Sequence, residues 1–240
     1  FFSNFRKNGY SNSITSLVGN KTITNTSSSF TYSTSDGLYV PKSGSWPTVS
    51  TTNFTFDNIA SNSIEFYADI PSTLSYDGHY LLTLYTDSNN FYIITLSGHG
   101  TSIFIRHYVN GSDNFQYYTG GNSILSYKGT RVHIIVTLGS SPTISINNSS
   151  LSLTTQGTYT GSHSQSITYN YLAFGTWTDS DSNYGEHICY IRFFNDTLTT
   201  AEKNTLYNQR NTIDYQKAVT ITTPYNTISA STKPKLNKTG

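Results

Sequence analysis

Tyr184-Gly-Glu-His-Ile-Cys-Tyr-Ile-Arg-Phe-Phe-Asn-Asp-Thr-Leu-Thr-Thr-Ala-Glu-Lys-Asn-Thr-Leu-Tyr207 is the stretch that decides the fold. Its first half alternates, placing Ile188 and Tyr190 on one face and Cys189, Ile191 and Phe193 on the other. A period of two marks a sheet strand. A sharp turn follows. Thr199 then stands as a helix N-cap with Glu202 three residues on, the spacing that closes a capping box. Leu206 and Tyr207 fall a turn or more along, on a face that can pack back on the sheet. One late helix in a chain otherwise made of strands leaves few folds open.

Upstream, short β-like runs recur at intervals of about 8 to 12 residues with Gly, Asn, Asp and Ser between them, the rhythm of a sandwich or barrel. The runs are Leu38 to Val40, Val49 to Phe56, Ser63 to Ile70, His79 to Thr86, Phe91 to Leu96 and Ser102 to Val109. Phe115 to Tyr118, Arg131 to Leu138, Thr143 to Ile146, Leu151 to Leu153, Ser166 to Phe174 and His187 to Phe194 continue it. Residues 1–35 are rich in Ser, Asn and Thr and read as an extended N-terminal arm or an early edge strand. Residues 36–209 carry the sandwich. From 210 to 240 the chain turns extended and basic, as a tail or linker does.

Composition agrees. Among the 240 residues only 11% are charged, against roughly 25% in soluble domains, and Tyr is the leading aromatic. Thr, Tyr, Phe and Ile suit pleated, half-buried surfaces, while Ser, Asn and Gly supply turns. The class is all-β. A net charge of +1 gives no footing for nucleic acid or an anionic membrane surface. No apolar run reaches the length of a spanning helix, so membrane insertion is not expected. The single cysteine, Cys189, excludes an internal disulfide and reads as a core residue. With no methionine, the chain reads as a piece of a longer protein.

The closing stretch resembles the signature of laminin-G-like domains in the concanavalin A-like lectin/glucanase superfamily. That pattern is a glycine, a strand ending Arg-hydrophobic-aromatic-Asn, a turn with Leu, then Ser/Thr-x-x-Glu and Leu-Tyr. Here the places hold Gly185, Arg192-Phe193-Phe194-Asn195, Leu198, Thr199, Glu202 and Leu206-Tyr207. Gly185 stands about one residue further from Arg192 than is usual, leaving room for a bulge. Ser63-Ile-Glu-Phe-Tyr-Ala-Asp69, Arg131-Val-His-Ile-Ile-Val-Thr137 and Tyr171-Leu-Ala-Phe-Gly175 resemble other family strands in order and spacing. Asn147-Asn148 replaces the family's Asp-Gly turn. The resemblance implies a two-sheet antiparallel jelly-roll β-sandwich, concanavalin A-like, with one short C-terminal helix.

Glucanases on this fold need two glutamates on one strand, as nucleophile and general acid. The chain has three glutamates, Glu65, Glu186 and Glu202. Glu65 shares a strand face with Asp69, but in the wrong strand, and Glu202 is taken by the cap. The six histidines show no metal-type spacing. No Gly-x-Ser-x-Gly elbow is present. An enzyme is not expected.

Binding has better support. Sugar rings offer apolar C–H faces and hydroxyls, so their sites pair an aromatic ring with Asp, Asn and backbone groups. The loop Trp177-Thr-Asp179-Ser-Asp181-Ser-Asn183-Tyr184 offers such a set: Trp177 and Tyr184 as rings, Asp179, Asp181 and Asn183 as polar ligands. The same alternating oxygens could converge on Ca²⁺, though without the Gly and Glu of an EF-hand. Calcium is common among laminin-G-like relatives, whose ligands do not map onto these positions one by one. Asp87-Ser-Asn-Asn90 reads as a hairpin turn, and Asp113-Asn114 with Tyr117 and Tyr118 could line a groove.

The expectation is therefore a non-catalytic carbohydrate-binding or adhesion module, extracellular or on a virion surface, with a glycan or surface glycoprotein as partner. Its rival is a structural component of a viral capsid, fibre or extracellular filament, whose sandwich and extended arms contact neighbouring subunits.

Overall fold

The closing strand lies at the middle of a sheet and carries the bulge for which its glycine spacing leaves room. The computed structural model describes residues 2–4, 13–15, 22–25, 31–33, 35–40, 48–50, 54–56, 62–74, 78–96, 101–138, 142–155, 167–169, 171–175 and 184–211. In chain order the strands are β1 (Phe2–Asn4), β2 (Ser13–Thr15), β3 (Thr22–Asn25), β4 (Thr31–Ser33), β5 (Gly37–Val40), β6 (Thr48–Ser50) and β7 (Phe54–Phe56). Then come β8 (Ser63–Asp69), β9 (His79–Asp87), β10 (Asn90–Leu96), β11 (Ile103–Val109), β12 (Ser112–Thr119), β13 (Arg131–Thr137) and β14 (Thr143–Ile146). The last are β15 (Ser149–Leu151), β16 (Leu153–Thr155), β17 (Ile167–Tyr169), β18 (Tyr171–Ala173) and β19 (Glu186–Phe194), followed by the helix α1 (Thr200–Gln209).

Two large antiparallel sheets result, as expected of a sandwich. One runs β15-β14-β13-β8-β19-β5-β4, with β1 also paired to β19, and the other runs β16-β12-β11-β10-β9-β18-β6-β3-β2. The core fills the space between them. Alternate residues point inward from β8 (Ile64, Phe66, Ala68), β13 (Val132, Ile134, Val136), β10 (Tyr92, Ile94, Leu96) and β12 (Phe115, Tyr117). The outward row of β8 is Ser63, Glu65, Tyr67 and Asp69. Burial of this interlocked set is the main driving force for the fold.

Strict alternation misplaces one residue of β19. Its register against β8 shifts between Ile188 and Tyr190, so Cys189 is an extra residue. Ile188 therefore shares the core with Ile191 and Phe193, and Tyr190 faces away. The expectation that paired Ile188 with Tyr190 is corrected by the bulge. Cys189 is fully buried but donates its thiol to the Asp36 carbonyl at 3.3 Å instead of joining the apolar cluster.

Three expected strands divide, and in Leu151 to Leu153 the break falls at Ser152, between β15 of the eight-stranded sheet and β16 of the nine-stranded one. Val49 to Phe56 splits into β6 and β7, and Ser166 to Phe174 into β17 and β18. These two share a cause: β6 pairs with β18 inside the nine-stranded sheet, whereas β7 and β17 form a separate ladder. Upstream of residue 36, β1 adds to β19, β4 to β5, and β2 with β3 to β6. The Asn147-Asn148 turn has positive φ at both residues (48° and 68°), the geometry of a tight primed hairpin that asparagine tolerates.

The capping box is present in full. Thr199 accepts from the Glu202 amide, and the Glu202 carboxylate accepts from the Thr199 amide at 2.8 Å. Thr199→Ala should therefore lower stability by about 1 kcal/mol, read as a shift in the urea midpoint, and an unchanged midpoint would show the cap to be idle. Leu206 is the buried residue of α1, and Tyr207 sits 5.8 Å from the His133 ring, so α1 covers the outer face of the eight-stranded sheet. No helix of the described residues is long and apolar enough to cross a membrane.

Candidate functional site

Under α1 lies the first concentration of charge. Glu65 points outward from β8 yet is fully buried. Its carboxylate accepts from His133 Nε2 at 2.7 Å, from the Tyr190 hydroxyl at 3.0 Å, and from Arg192 Nη2 at 2.6 Å with Nε on the second oxygen. Burial alone would push the Glu65 pKa up. The Arg192 charge and these hydrogen bonds outweigh it and hold the carboxyl at about 2. Such a group stays ionised and can neither donate a proton nor reach a substrate. The same residue that shares a face with Asp69 in the sequence is thus a structural hub.

One end of that face holds a second cluster. Asp69 accepts from Arg131 at 2.7 and 3.0 Å, and Arg131 also reaches Asp36 at 3.0 Å. Asp69, Glu186 and His187 bring ligand atoms within 4.8 Å of one another. Burial, then the neighbouring Asp69 charge, raises the Glu186 pKa. Arg131 pairs with two of the three carboxylates gathered here, Asp69 and Asp36, and Glu186 stands beside them.

The loop singled out in the sequence is described only at its roots. Trp177, Asp179, Asp181 and Asn183, with the Ca²⁺ set Asp179, Asp181 and Asn183, lie outside the described residues. Tyr184 is described, and it is 1% exposed, with its hydroxyl donating to the Asp69 carbonyl at 2.7 Å. Its ring belongs to the core and offers no face to a ligand. On the other side Gly175 donates to the Tyr80 carbonyl at 2.8 Å, and Gly185 donates to Val40 at 2.9 Å. Both ends of the loop are therefore pinned beside Val40.

A different surface brings two aromatic rings, a guanidinium and a carboxylate together. On the outward face of the nine-stranded sheet, Phe91 of β10 pairs with Tyr108 of β11, and their rings stack at 4.8 Å and 13°. Arg106, two residues along β11, lays its guanidinium 4.9 Å from the Tyr108 ring centre and 5.4 Å from that of Phe91. Its Nε donates to Asp113 at 2.6 Å and its Nη2 at 3.2 Å. Burial opposes ionisation of Asp113, but hydrogen bonds from Arg106 and Gln116 prevail and keep its pKa below the usual carboxylate value.

Asp113 reaches this face only through a bulge. Phe115 and Tyr117 point inward, so strict alternation would send residue 113 inward too. The register shifts between His107 and Tyr108, making Asn114 the extra residue and placing Asp113 opposite Tyr108. Buried Asn114 donates to His107 Nδ1 at 3.1 Å, which fixes the bulge from inside. Of the groove expected from Asp113, Asn114, Tyr117 and Tyr118, the first and last belong to the outward surface, while Asn114 and Tyr117 face the core. Sequence reading missed Arg106, although Phe104, Arg106 and Tyr108 alternate with Ile103, Ile105 and His107.

The hairpin turns beside this surface are locked together. Asp87 accepts from the Asn89 amide at 2.8 Å, as expected of a turn. Asn110 donates to the Asn90 side chain at 3.1 Å, Gly111 donates to Asn89 at 3.1 Å, and the Tyr108 hydroxyl donates to the Gly111 carbonyl at 2.6 Å. A platform held this way needs little reordering to bind.

No family model and no curated protein matches this sequence. Solved structures do resemble it. A structure of the botulinum neurotoxin serotype D binding domain superposes with a TM-score of 0.61 at 15% identity, over 87% of this chain and 51% of that one. Trypanosoma rangeli sialidase, as its covalent intermediate with 2,3-difluorosialic acid, gives 0.58 at 10% identity, over 88% of this chain and 32% of that one. The chain thus spans about half of the toxin chain and about a third of the sialidase. At these identities the likeness is one of fold, and the fold is a two-sheet antiparallel β-sandwich.

Proposed function

We propose that this chain is a non-catalytic carbohydrate-binding or adhesion module of laminin-G-like type, displayed outside a cell or on a virion. The fate of its glutamates carries the reading. Glu65 is buried in an ion-paired hub and Glu202 closes the helix cap, so two of the three are spent on structure. Asp69 and Glu186 are close enough to suggest a hydrolytic pair, but both Asp69 oxygens are held by Arg131. The likeness in fold to a toxin binding domain and to a sialidase solved with a sialic acid derivative supports the glycan-binding part of this reading and leaves the non-catalytic part to the glutamates. A glycan or surface glycoprotein is the proposed partner.

The test is binding of the full chain to a glycan array, in Ca²⁺ and in chelator, beside hydrolysis of nitrophenyl glycosides. Retention of glycans without turnover is the expected result. If Trp177→Ala or Asp179→Ala lowers that binding at least tenfold and chelator does the same, the Trp177 loop and its Ca²⁺ are part of the site. Turnover abolished by Glu186→Gln would overturn the non-catalytic reading. No retained glycan, with ordered assembly lost on deleting residues 1–35 or 210–240, would replace the module with a structural subunit.

A further inference from the structure

We infer that the Arg106–Asp113 pair, with Tyr108 backed by Phe91, forms a binding site for a neutral sugar bearing adjacent hydroxyls. The inference rests on the glycan-binding reading above and names where on the fold and for which chemistry. A guanidinium has five N–H donors, and Asp113 takes two of those of Arg106. The others form an edge beside a carboxylate with about four acceptor directions, of which Arg106 and Gln116 take at least three. A donor edge next to an acceptor edge matches a pair of neighbouring sugar hydroxyls, each of which both donates and accepts.

Exposure and backing fit that use. The side chains of Arg106 and Asp113 are 29% and 35% exposed, open enough to be reached yet held by packing. Phe91 is 3% exposed and acts as the wall behind Tyr108, whose partly exposed ring can take the C–H face of a sugar. The Asn114 bulge turns Asp113 outward at this one place, and bulges that re-aim a side chain concentrate beside functional sites.

Charge selects the class of sugar. Asp113 neutralises Arg106, so the pair exerts no net pull on an anion, and a ligand carboxylate or sulfate would lie against the Asp113 carboxylate. Like charges set side by side in an interface are strongly unfavourable. A neutral hexose meets no such cost.

The experiment is an array of neutral galactosyl, glucosyl and mannosyl oligosaccharides printed beside their sialylated and sulfated forms, probed with the full chain. Binding confined to neutral glycans is expected, reduced at least tenfold by Arg106→Gln and by Tyr108→Ala. Asp113→Asn should weaken neutral binding and raise binding of the sialylated forms, because it uncovers the Arg106 charge. A merely structural role for the pair would not produce that change of preference. Thermal midpoints of the variants within a few degrees of the parent establish that they fold. Preference of the parent for sialylated or sulfated glycans, or neutral binding indifferent to Arg106→Gln, overturns the inference and leaves the glycan reading standing. An array with nothing bound to the parent overturns both.

Discussion

Glu65→Ala is expected to lower the unfolding free energy by about 3–5 kcal/mol, the usual result of removing one partner from a buried ion pair. The substitution takes the carboxylate from Arg192, 14% exposed at its side chain, and deprives His133 and Tyr190 of the acceptor they share with it. It also opens a void beneath α1. Urea unfolding reads the effect directly. A loss below about 1 kcal/mol would mean that water or a rearranged Arg192 replaces the carboxylate at little cost.

The same residue predicts an acid limb. In the unfolded chain a glutamate titrates near 4.5, and in the fold Glu65 is held at about 2. The folded pKa is the lower one, so the contribution is whole above about pH 5 and fades as pH falls from 4.5 towards 2. Its size over that window is about 3 kcal/mol. Glu65→Gln should remove this part of the pH dependence while nearly conserving volume. If the variant and the parent lose stability in parallel between pH 5 and pH 2, the acid sensitivity belongs to other carboxylates.

Glu65 and Arg106 mark the limit of what a sequence can reveal. Ser63 to Asp69 and Arg131 to Thr137 alternate cleanly, so their strands and inward faces are legible. Thr199 and Glu202 announce the cap because a cap is local. Glu65 is different. Its partners lie 68, 125 and 127 residues away, and register alone brings them onto one face. Arg106 was hidden for a related reason: the bulge at Asn114, which turns Asp113 towards it, leaves no local mark in an alternation pattern. Tyr184 shows the reverse case. A tyrosine at the root of a polar loop reads as a ligand-facing ring, whereas the buried ring and its bond to the Asp69 carbonyl make it an anchor. The strands Thr22–Asn25 and Thr31–Ser33 carry little apolar alternation, and they gain their place by adding to an existing sheet edge.

Gly37→Ala is expected to be as damaging as loss of Glu65, through backbone alone. Gly37 has a φ of +86°, which costs a residue with a side chain about 1–2 kcal/mol. An added Cβ would also strike the Ile188 carbonyl oxygen and come within 2.7 Å of the Cys189 Cα. Both atoms belong to the bulge of β19, which is hemmed in by β8 on its other side and by the Cys189 thiol bonded to Asp36. Neither is the mobile end of a side chain, so relief requires moving a central strand, at a further cost of about 1–3 kcal/mol. The expected total is about 2–5 kcal/mol in urea unfolding. Gly121→Ala is the matched control, since nothing lies within 4 Å of its added Cβ and its φ is not positive. That change should be neutral or stabilising by about 0.5 kcal/mol. If the two variants unfold within about 1 kcal/mol of each other, the bulge yields to Gly37, and the reversal of faces between Ile188 and Tyr190 is not rigidly held.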